Sequence, residues 1–151
     1  MGSEMCIRDR SNPYLGIQFS NNLTWQNHIN KIASRASSTL GFLQRNLKRY
    51  PQECRNLAYK ALVRPTLEYG AIVWDSQKQT DIDKLERIQK RAAKFIKQDY
   101  RTRDPGCVTA MLKDLQLLKL KKRCRQQRQT FMFKVVEGLV PAMQPDQSHP
   151  V

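Results

Sequence analysis

Between residues 24 and 48, apolar side chains recur at steps of three and four, the spacing that aligns them along one face of an α-helix. The pattern predicts a helix from about Thr24 or Trp25 to Lys48, with Thr24 or Asn22 as its N-cap. Its buried stripe would comprise Trp25, Ile29, Ile32, Ala36, Leu40, Leu43 and Leu47.

A second helix is predicted after Pro51, which suits a first helical turn because its missing N–H is not needed there. It would run to Pro65 and resume as one or two turns between Thr66 and Trp74. Its inward residues are predicted to be Leu57, Ala58, Ala61 and Leu62.

Thr80 is predicted to cap a third strong helix. A short helix around Val108 to Leu112 and a long one from about Leu117 to Glu137 complete the helical pattern. The buried side of the third helix would hold Ile82, Leu85, Ile88, Ala92, Phe95 and Ile96.

Before these helices, the stretch from Tyr14 to Ser20 has aromatic and β-branched residues in near alternation, which predicts one strand. A single strand cannot form a sheet, so either it folds back as a small ribbon or its partner strands lie upstream. The predicted fold class is therefore mostly α: a helical bundle preceded by one short β-strand.

The chain is strongly basic, since 27 Lys and Arg against 13 Asp and Glu give a net charge of +14 and a pI of about 10.0. Self-repulsion of this size opposes compaction unless a polyanion or an acidic surface shares the charge. Nucleic acid is the leading candidate, ahead of an acidic protein or anionic lipid. No apolar run approaches the roughly 20 residues that span a bilayer, so no membrane insertion is expected.

We find no pattern typical of a catalytic or metal site. The four cysteines (Cys6, Cys54, Cys107, Cys124) are widely spaced and lack neighbouring histidines, which argues against zinc. Such cysteines fit an intracellular protein of the nucleus or cytoplasm rather than a secreted one. His28 is interpreted as a structural group, and Asp81 and Asp83 as charges favoured at a helix start rather than metal ligands. No catalytic residue is predicted.

The segment MCIRDR, from Met5 to Arg10, back-translates to ATGTGTATAAGAGACAG plus one base, which matches a transposase mosaic-end sequencing adapter. We therefore interpret residues 1–10 as an adapter-derived artefact and exclude them from fold reasoning. On this interpretation the natural chain begins upstream of Ser11, and the present chain is a fragment. Residues 142–151 are expected to form a disordered tail.

Cations are concentrated in runs. Between Lys31 and Arg64 the only acid is Glu53, and between Lys113 and Lys134 the only acid is Asp114. On the first helix, Phe42 lies among cations on the face opposite the apolar stripe, which suits base stacking beside phosphate contacts; packing of Phe42 against a neighbour in a solvated face is the alternative. The residues predicted to bind nucleic acid are Lys31, Arg35, Phe42, Arg45, Lys48, Arg49, Arg64, Lys121, Lys122, Arg123 and Arg125.

The third helix carries another run: Lys84, Arg87, Lys90, Arg91, Lys94 and Lys97. Asp83 with Arg87 and Glu86 with Lys90 have the i,i+4 spacing of helical ion pairs. Such pairs would neutralise part of this face, so the sequence favours a solvated surface here over a nucleic-acid groove.

Six blocks of the sequence, in order, resemble the C-terminal part of reverse transcriptases of non-LTR, LINE-type retrotransposons. Together they cover most of residues 14–141. The blocks are YLGIQFSNNLTWQNHI (14–29), TLGFLQRNL (39–47), AYKALVRPTLEYGAIVWD (58–75), IDKLERIQKRAAKFI (82–96), VTAMLKDLQLLKL (108–120) and FMFKVVEGLVP (131–141).

The resemblance implies that residues 11–22 end the polymerase palm and that Tyr14, Leu15 and Gly16 belong to the primer-grip region. Residues 23–141 would be the helical thumb and its extension, which hold the RNA template and DNA primer beside an upstream palm and fingers domain. The implied structural core includes Trp25, Leu40, Leu43, Leu67, Tyr69 and Trp74.

The sequence also departs from the family. The Y/F-x-D-D aspartates that would bind the Mg ions of the parent polymerase are absent, so no cofactor is expected in this fragment. Ser76 stands where a proline often follows the Trp-Asp pair, and Cys124 where a second arginine is common. Two other hypotheses remain: a stand-alone basic helical RNA- or DNA-binding protein retained by a host, and a helical protein-interaction module.

Overall fold

The computed structural model describes residues 12–21, 24–74 and 78–141. Asn22, Ser76, the proposed adapter segment 1–10 and the proposed tail 142–151 lie outside these ranges. The described elements, in chain order, are β1 (Asn12–Tyr14), β2 (Ile17–Phe19), α1 (Gln26–Asn46), α2 (Gln52–Ala58), a π-helical turn (Tyr59–Val63), α3 (Arg64–Glu68), α4 (Ala71–Trp74), α5 (Gln79–Lys97), α6 (Cys107–Asp114) and α7 (Leu120–Val136). The predicted mostly helical class is confirmed.

The predicted single strand is a two-stranded antiparallel hairpin, in which Tyr14 pairs with Ile17. Its two-residue turn has positive φ at both positions, +48° at Leu15 and +82° at Gly16. This is the turn geometry whose twist matches that of the flanking strands. The ribbon therefore folds back on itself, and β2 packs on α1, where the Gln18 N–H donates to His28 Nδ1 at 3.3 Å.

α1 begins at Gln26 without a side-chain cap, contrary to the prediction for Thr24. Instead, the Ser20 hydroxyl donates to the Thr24 carbonyl at 2.6 Å and accepts from the Thr24 N–H at 3.0 Å. The hairpin is thereby fastened to the segment that leads into the helix.

The second helix continues through Pro65 because the preceding turn is a π-helix, in which the Arg64 N–H bonds to the Tyr59 carbonyl. Proline lacks an N–H and clashes with the carbonyl four residues earlier, so a wider turn relieves the conflict. The inward residues predicted for this segment were partly wrong, since Leu57 and Leu62 are 68% and 52% exposed. The buried positions are instead four apart: Arg55, Tyr59, Val63 and Leu67.

α1 and α5 form the centre of the fold and run in the same direction. Near their starts Lys84 donates to Asn30, and just beyond their ends Gln98 donates to the Lys48 carbonyl. The core between these helices and the α2–α3 segment contains Ile29, Ala36, Leu40, Leu43, Tyr59, Val63, Leu67, Ala92, Phe95 and Ile96.

Of the residues expected in the core, Leu40, Leu43, Leu67 and Trp74 are buried. Trp25 is half-buried, with its ring edge-on to Phe19 at 5.5 Å. Tyr69 contradicts the prediction, because its side chain is 58% exposed. Its hydroxyl donates to the Leu15 carbonyl at 2.9 Å, so it fastens the hairpin turn rather than filling the core.

α7 packs against α4 and α5, and α6 packs against α5. In the parts of the chain that the structure describes, no helix has both the length and the apolar character needed to cross a membrane.

Candidate nucleic-acid interface

The outward face of α1 is basic. Lys31, Arg35 and Arg45 are exposed there. Lys48 and Arg49 are exposed beyond Asn46, where the helix ends, so Arg49 does not continue this helical face as the sequence predicted. Phe42 lies among them and is 55% exposed, so its ring is available for stacking and is not packed into the core. Lys31, Arg35, Phe42 and Arg45 lie opposite the buried stripe because their positions fall on the far side of a helix with 3.6 residues per turn.

A groove of about 370 Å³ separates α1 from α5. Its α1 wall is formed by short side chains, Asn30, Ala33, Ser34 and Ser37, which keep the groove open. Its α5 wall carries three cations: Lys84, Arg87 and Arg91. Among the residues that the structure describes, no acidic side chain lines this groove.

The charge of the α5 wall is not neutralised in the way the sequence predicted. Asp83 accepts from Gln79 at 2.8 Å, and Glu86 accepts from the Lys121 backbone N–H at 3.2 Å. Over the described residues, the ion pairs join Arg64 and Arg123 to Glu68 and Lys97 to Asp114. The expected ion pairs of Asp83 with Arg87 and of Glu86 with Lys90 are therefore not formed.

The two basic surfaces meet at Gly41. A Cβ placed on this glycine would lie 3.6 Å from an Arg45 Nη atom and 3.9 Å from an Arg91 Nη atom. Arg91 is held there by a 3.1 Å hydrogen bond to the Gln44 side chain. Because Gly41 has no side chain, guanidinium groups from both helices approach over its backbone and join the α1 face to the groove. We refer to Lys31, Arg35, Arg45, Lys84, Arg87 and Arg91 as the joint basic surface.

The hairpin turn lies at one edge of this surface. Leu15 and Gly16, which the resemblance assigns to the primer grip, line a hollow of about 350 Å³ together with Lys31 and Arg35. Tyr14, from the same assignment, is 67% exposed and does not line the hollow. The fold thus brings two of the three primer-grip-like residues next to two of the predicted phosphate contacts.

His28 also lines this hollow, although its side chain is almost fully buried. Its Nδ1 accepts from the Gln18 backbone N–H at 3.3 Å, and its ring lies 5.5 Å from that of Trp74. Burial, and to a smaller extent the nearby Lys31 ammonium, lowers the pKa of His28 below its ordinary 6.5. The imidazole is therefore neutral at physiological pH and structural.

Two of the predicted nucleic-acid contacts, Arg123 and Arg64, form ion pairs within the fold. Arg123 is only 5% exposed; it lies 2.7 Å from Glu68 and donates to Gln89 at 2.7 Å and to the Leu118 carbonyl at 2.9 Å. Arg64 pairs with the same Glu68 oxygen at 2.9 Å. Both lie in a network that ties α3 to α5 and α7.

Arg55, another member of the first cationic run, is also buried. Its guanidinium donates twice to the Ile96 carbonyl, at 3.1 and 2.7 Å, and also to the Tyr50 carbonyl. A helix C-terminus leaves carbonyls without intrahelical partners and favours positive charge. Arg55 therefore caps the end of α5.

On α7, Lys121, Lys122 and Arg125 are exposed, but none of them lines the α1–α5 groove. α7 meets α5 through Glu86 and Gln89, not through the cations that face α1. The structure thus separates the exposed cations of α7 from the joint basic surface.

No cluster of three or more His, Cys, Asp or Glu side chains suited to a metal ion occurs among residues 12–21, 24–74 and 78–141. The Mg ions implied for a parent polymerase belong to aspartates that this sequence does not contain, so no described residue is assigned to them.

Comparisons of the chain with protein-family models, with curated proteins and with solved structures found no match.

Proposed function

We propose that this chain is a non-catalytic nucleic-acid-holding part of an RNA-directed DNA polymerase, the thumb of a non-LTR retrotransposon reverse transcriptase. Its ligand would be the duplex of RNA template and DNA primer. The proposal combines the sequence resemblance with one structural observation, the joint basic surface of α1 and α5.

That surface supports a polyanion ligand because its charge has no internal counterpart. Two parallel helices contribute its six cations, of which Arg45 and Arg91 approach each other over Gly41, and no described ion pair involves any of the six. Exposed like charges repel one another unless a ligand or counterions neutralise them. A nucleic-acid backbone supplies a regular row of negative charges, and binding releases its condensed counterions.

The proposal also accounts for the position of the hairpin turn at the edge of the joint basic surface. If the joint basic surface contacts the backbone of the duplex, the Leu15–Gly16 turn lies at the edge where a primer strand would pass. Its position is fixed by the Tyr69 hydroxyl bond to Leu15. Exposed Phe42, on the same face of α1, would contribute an aromatic contact to a sugar or base.

A salt titration of binding to an RNA–DNA hybrid tests the proposal. If about six phosphates are neutralised, affinity should fall roughly a thousandfold between 50 and 200 mM salt. The double variant Arg87→Ala/Arg91→Ala should reduce the salt slope by about two, because two phosphate contacts are lost.

The matched control is Lys60→Ala/Lys113→Ala, which removes the same charge from exposed positions outside the groove. Its slope should stay close to that of the unchanged protein. Absence of hybrid binding at low salt would overturn the proposal. An equal loss of slope in both double variants would show that net charge alone, and not this surface, attracts the hybrid.

A further inference from the structure

A second hollow, of about 620 Å³, lies where α1 and α5 end, and we refer to it as the terminal hollow. It adjoins the α1–α5 groove, because Gln44 lines the hollow and accepts a hydrogen bond from Arg91 of the groove. Its volume falls within the range of small-molecule sites, roughly 300–1,000 Å³, and is sufficient for one nucleotide.

The hollow is bordered by aromatic side chains. Phe95 is buried and forms part of its lining, whereas Tyr100 is 55% exposed. Every nucleobase has a π-face, and stacking on an exposed aromatic ring is therefore tolerant of sequence. Tyr100 has the exposure that such stacking requires.

Two cations, Lys48 and Arg101, line the same hollow and are exposed. Of the described residues in its lining, one is acidic, Asp99. Its carboxylate accepts from the Thr102 hydroxyl at 2.6 Å and from the Thr102 and Arg101 N–H groups at 3.1 and 3.2 Å. Those bonds, chiefly the one from the Thr102 hydroxyl, lower the pKa of Asp99. The carboxylate is thus ionised and bonded to its own turn. Lys48 and Arg101, which form no described ion pair, outnumber it and leave the lining with a net positive charge.

The backbone conformation at the end of α5 fixes the shape of the terminal hollow. Gln98 adopts a left-handed conformation with φ of +54°, which stops the helix and turns Tyr100 and Arg101 toward α1. Its side-chain amide donates to the Lys48 carbonyl and so joins the two helix ends. A non-glycine residue in this conformation persists only when its surroundings hold it there.

We propose that the terminal hollow receives one unpaired nucleotide that projects from the duplex bound along the α1–α5 groove. Tyr100 stacks on the base, and Lys48 and Arg101 contact the flanking phosphates. This inference rests on the proposed function, since it places the duplex on the joint basic surface. It adds that the preferred ligand is a duplex with a single-stranded extension rather than a blunt one.

Fluorescence anisotropy with a blunt RNA–DNA hybrid and with the same hybrid carrying a one- to three-nucleotide extension tests this inference. The extension should tighten binding about tenfold, the effect of stacking one base on an aromatic ring. Tyr100→Ala should abolish that gain while leaving blunt-hybrid affinity unchanged, and Tyr100→Phe should retain it. A 2-aminopurine in the extension should change fluorescence on binding to the unchanged protein and not to Tyr100→Ala.

Tyr50→Ala is the matched control, because Tyr50 is 54% exposed and does not line the hollow. It should preserve the gain from the extension. If blunt and extended hybrids bind equally, or if Tyr100→Ala keeps the gain, the inference fails while the proposed function stands. If neither hybrid binds at low salt, the proposed function fails and the inference fails with it.

Discussion

Arg123 of α7 and Glu68 of α3 form a buried ion pair, with 2.7 Å between Nε and Oε1 and side chains only 6% and 10% exposed. Arg64 shares the same carboxylate oxygen at 2.9 Å. Removing such charges from water is costly, and the pair is tolerated because the guanidinium also donates to Gln89 and to the Leu118 carbonyl. A cation from the most basic stretch of the sequence thus fixes α7 to the bundle.

We predict that Glu68→Gln destabilises the protein by about 3 kcal/mol, because the amide keeps the shape of the carboxylate but leaves the buried Arg123 charge uncompensated. Urea unfolding followed by circular dichroism measures the change. The nearby exposed Arg125 is the control, and Arg125→Ala should alter the free energy of unfolding by no more than about 0.5 kcal/mol. Equal stability of Glu68→Gln and the unchanged protein would show that the pair does not hold α7 in place.

Two glycines with the same backbone conformation should respond differently to alanine. Gly70 and Gly138 have φ of +66° and +67°. A Cβ on Gly70 would lie 2.6 Å from Ile17 Cδ1, whereas a Cβ on Gly138 would meet no atom of the described residues within 4 Å apart from its chain neighbours. Gly138→Ala should cost about 1 kcal/mol of backbone strain. Gly70→Ala should cost about 1–2 kcal/mol more, because Ile17 must leave its rotamer or the hairpin must shift.

Thermal and urea unfolding of both variants measures this difference, and hydrogen exchange of the Ile17 and Phe19 amides locates it. Faster exchange in the hairpin should accompany Gly70→Ala alone. Indistinguishable costs for the two substitutions would mean that the hairpin does not pack on Gly70.

The stability of the protein should fall as the pH is lowered through 6.5. The folded-state pKa of His28 is depressed by burial and by Lys31, so below 6.5 the unfolded chain binds a proton that the folded chain does not. The contribution of neutral His28 to the free energy of unfolding is fully present above pH 6.5 and is lost as the pH falls through the folded-state pKa. Protonation would also end the acceptance of the Gln18 N–H by Nδ1.

His28→Asn tests this dependence, because its side-chain oxygen can accept from Gln18 without titrating. The free energy of unfolding, measured by urea denaturation between pH 7.5 and 5, should decline less steeply for this variant than for the unchanged protein. Parallel pH profiles for the two proteins would show that His28 does not carry the dependence.

The helices were predictable because their apolar stripes have the 3.6-residue period. The stripe from Ile29 to Leu43 and that from Leu85 to Ile96 are both buried as expected. The hairpin was predicted only as one of two alternatives for a single strand, because its turn is Leu-Gly, with Leu15 in the left-handed conformation that favours Gly or Asn. The π-helical turn was missed because helical periodicity assumes a constant pitch, and Pro65 changes it locally.

The site was only partly predictable. The cationic face of α1 follows from helical spacing alone, since residues such as Arg35 and Arg45 lie opposite the stripe whatever that stripe packs against. The positive charge of the α5 wall of the groove could not be predicted in this way, because local spacing suggested that Asp83 and Glu86 would neutralise it. In the fold Asp83 accepts from Gln79, one turn earlier on α5, and Glu86 accepts from the Lys121 backbone N–H of α7.

The sequence by itself determined the helical class, the extent of the main helices and the excess of positive charge, because periodicity and composition are local properties of the chain. Tertiary structure alone decided which cations became structural, as with Arg55 and Arg123, and which face outward together, as with Arg45 and Arg91 over Gly41. The physical reason is that the environment of a charge depends on groups distant in sequence. A guanidinium is buried when it meets a carbonyl at a helix end or a carboxylate on another helix. It stays exposed to a ligand where, as over Gly41, a missing side chain leaves it room at the surface.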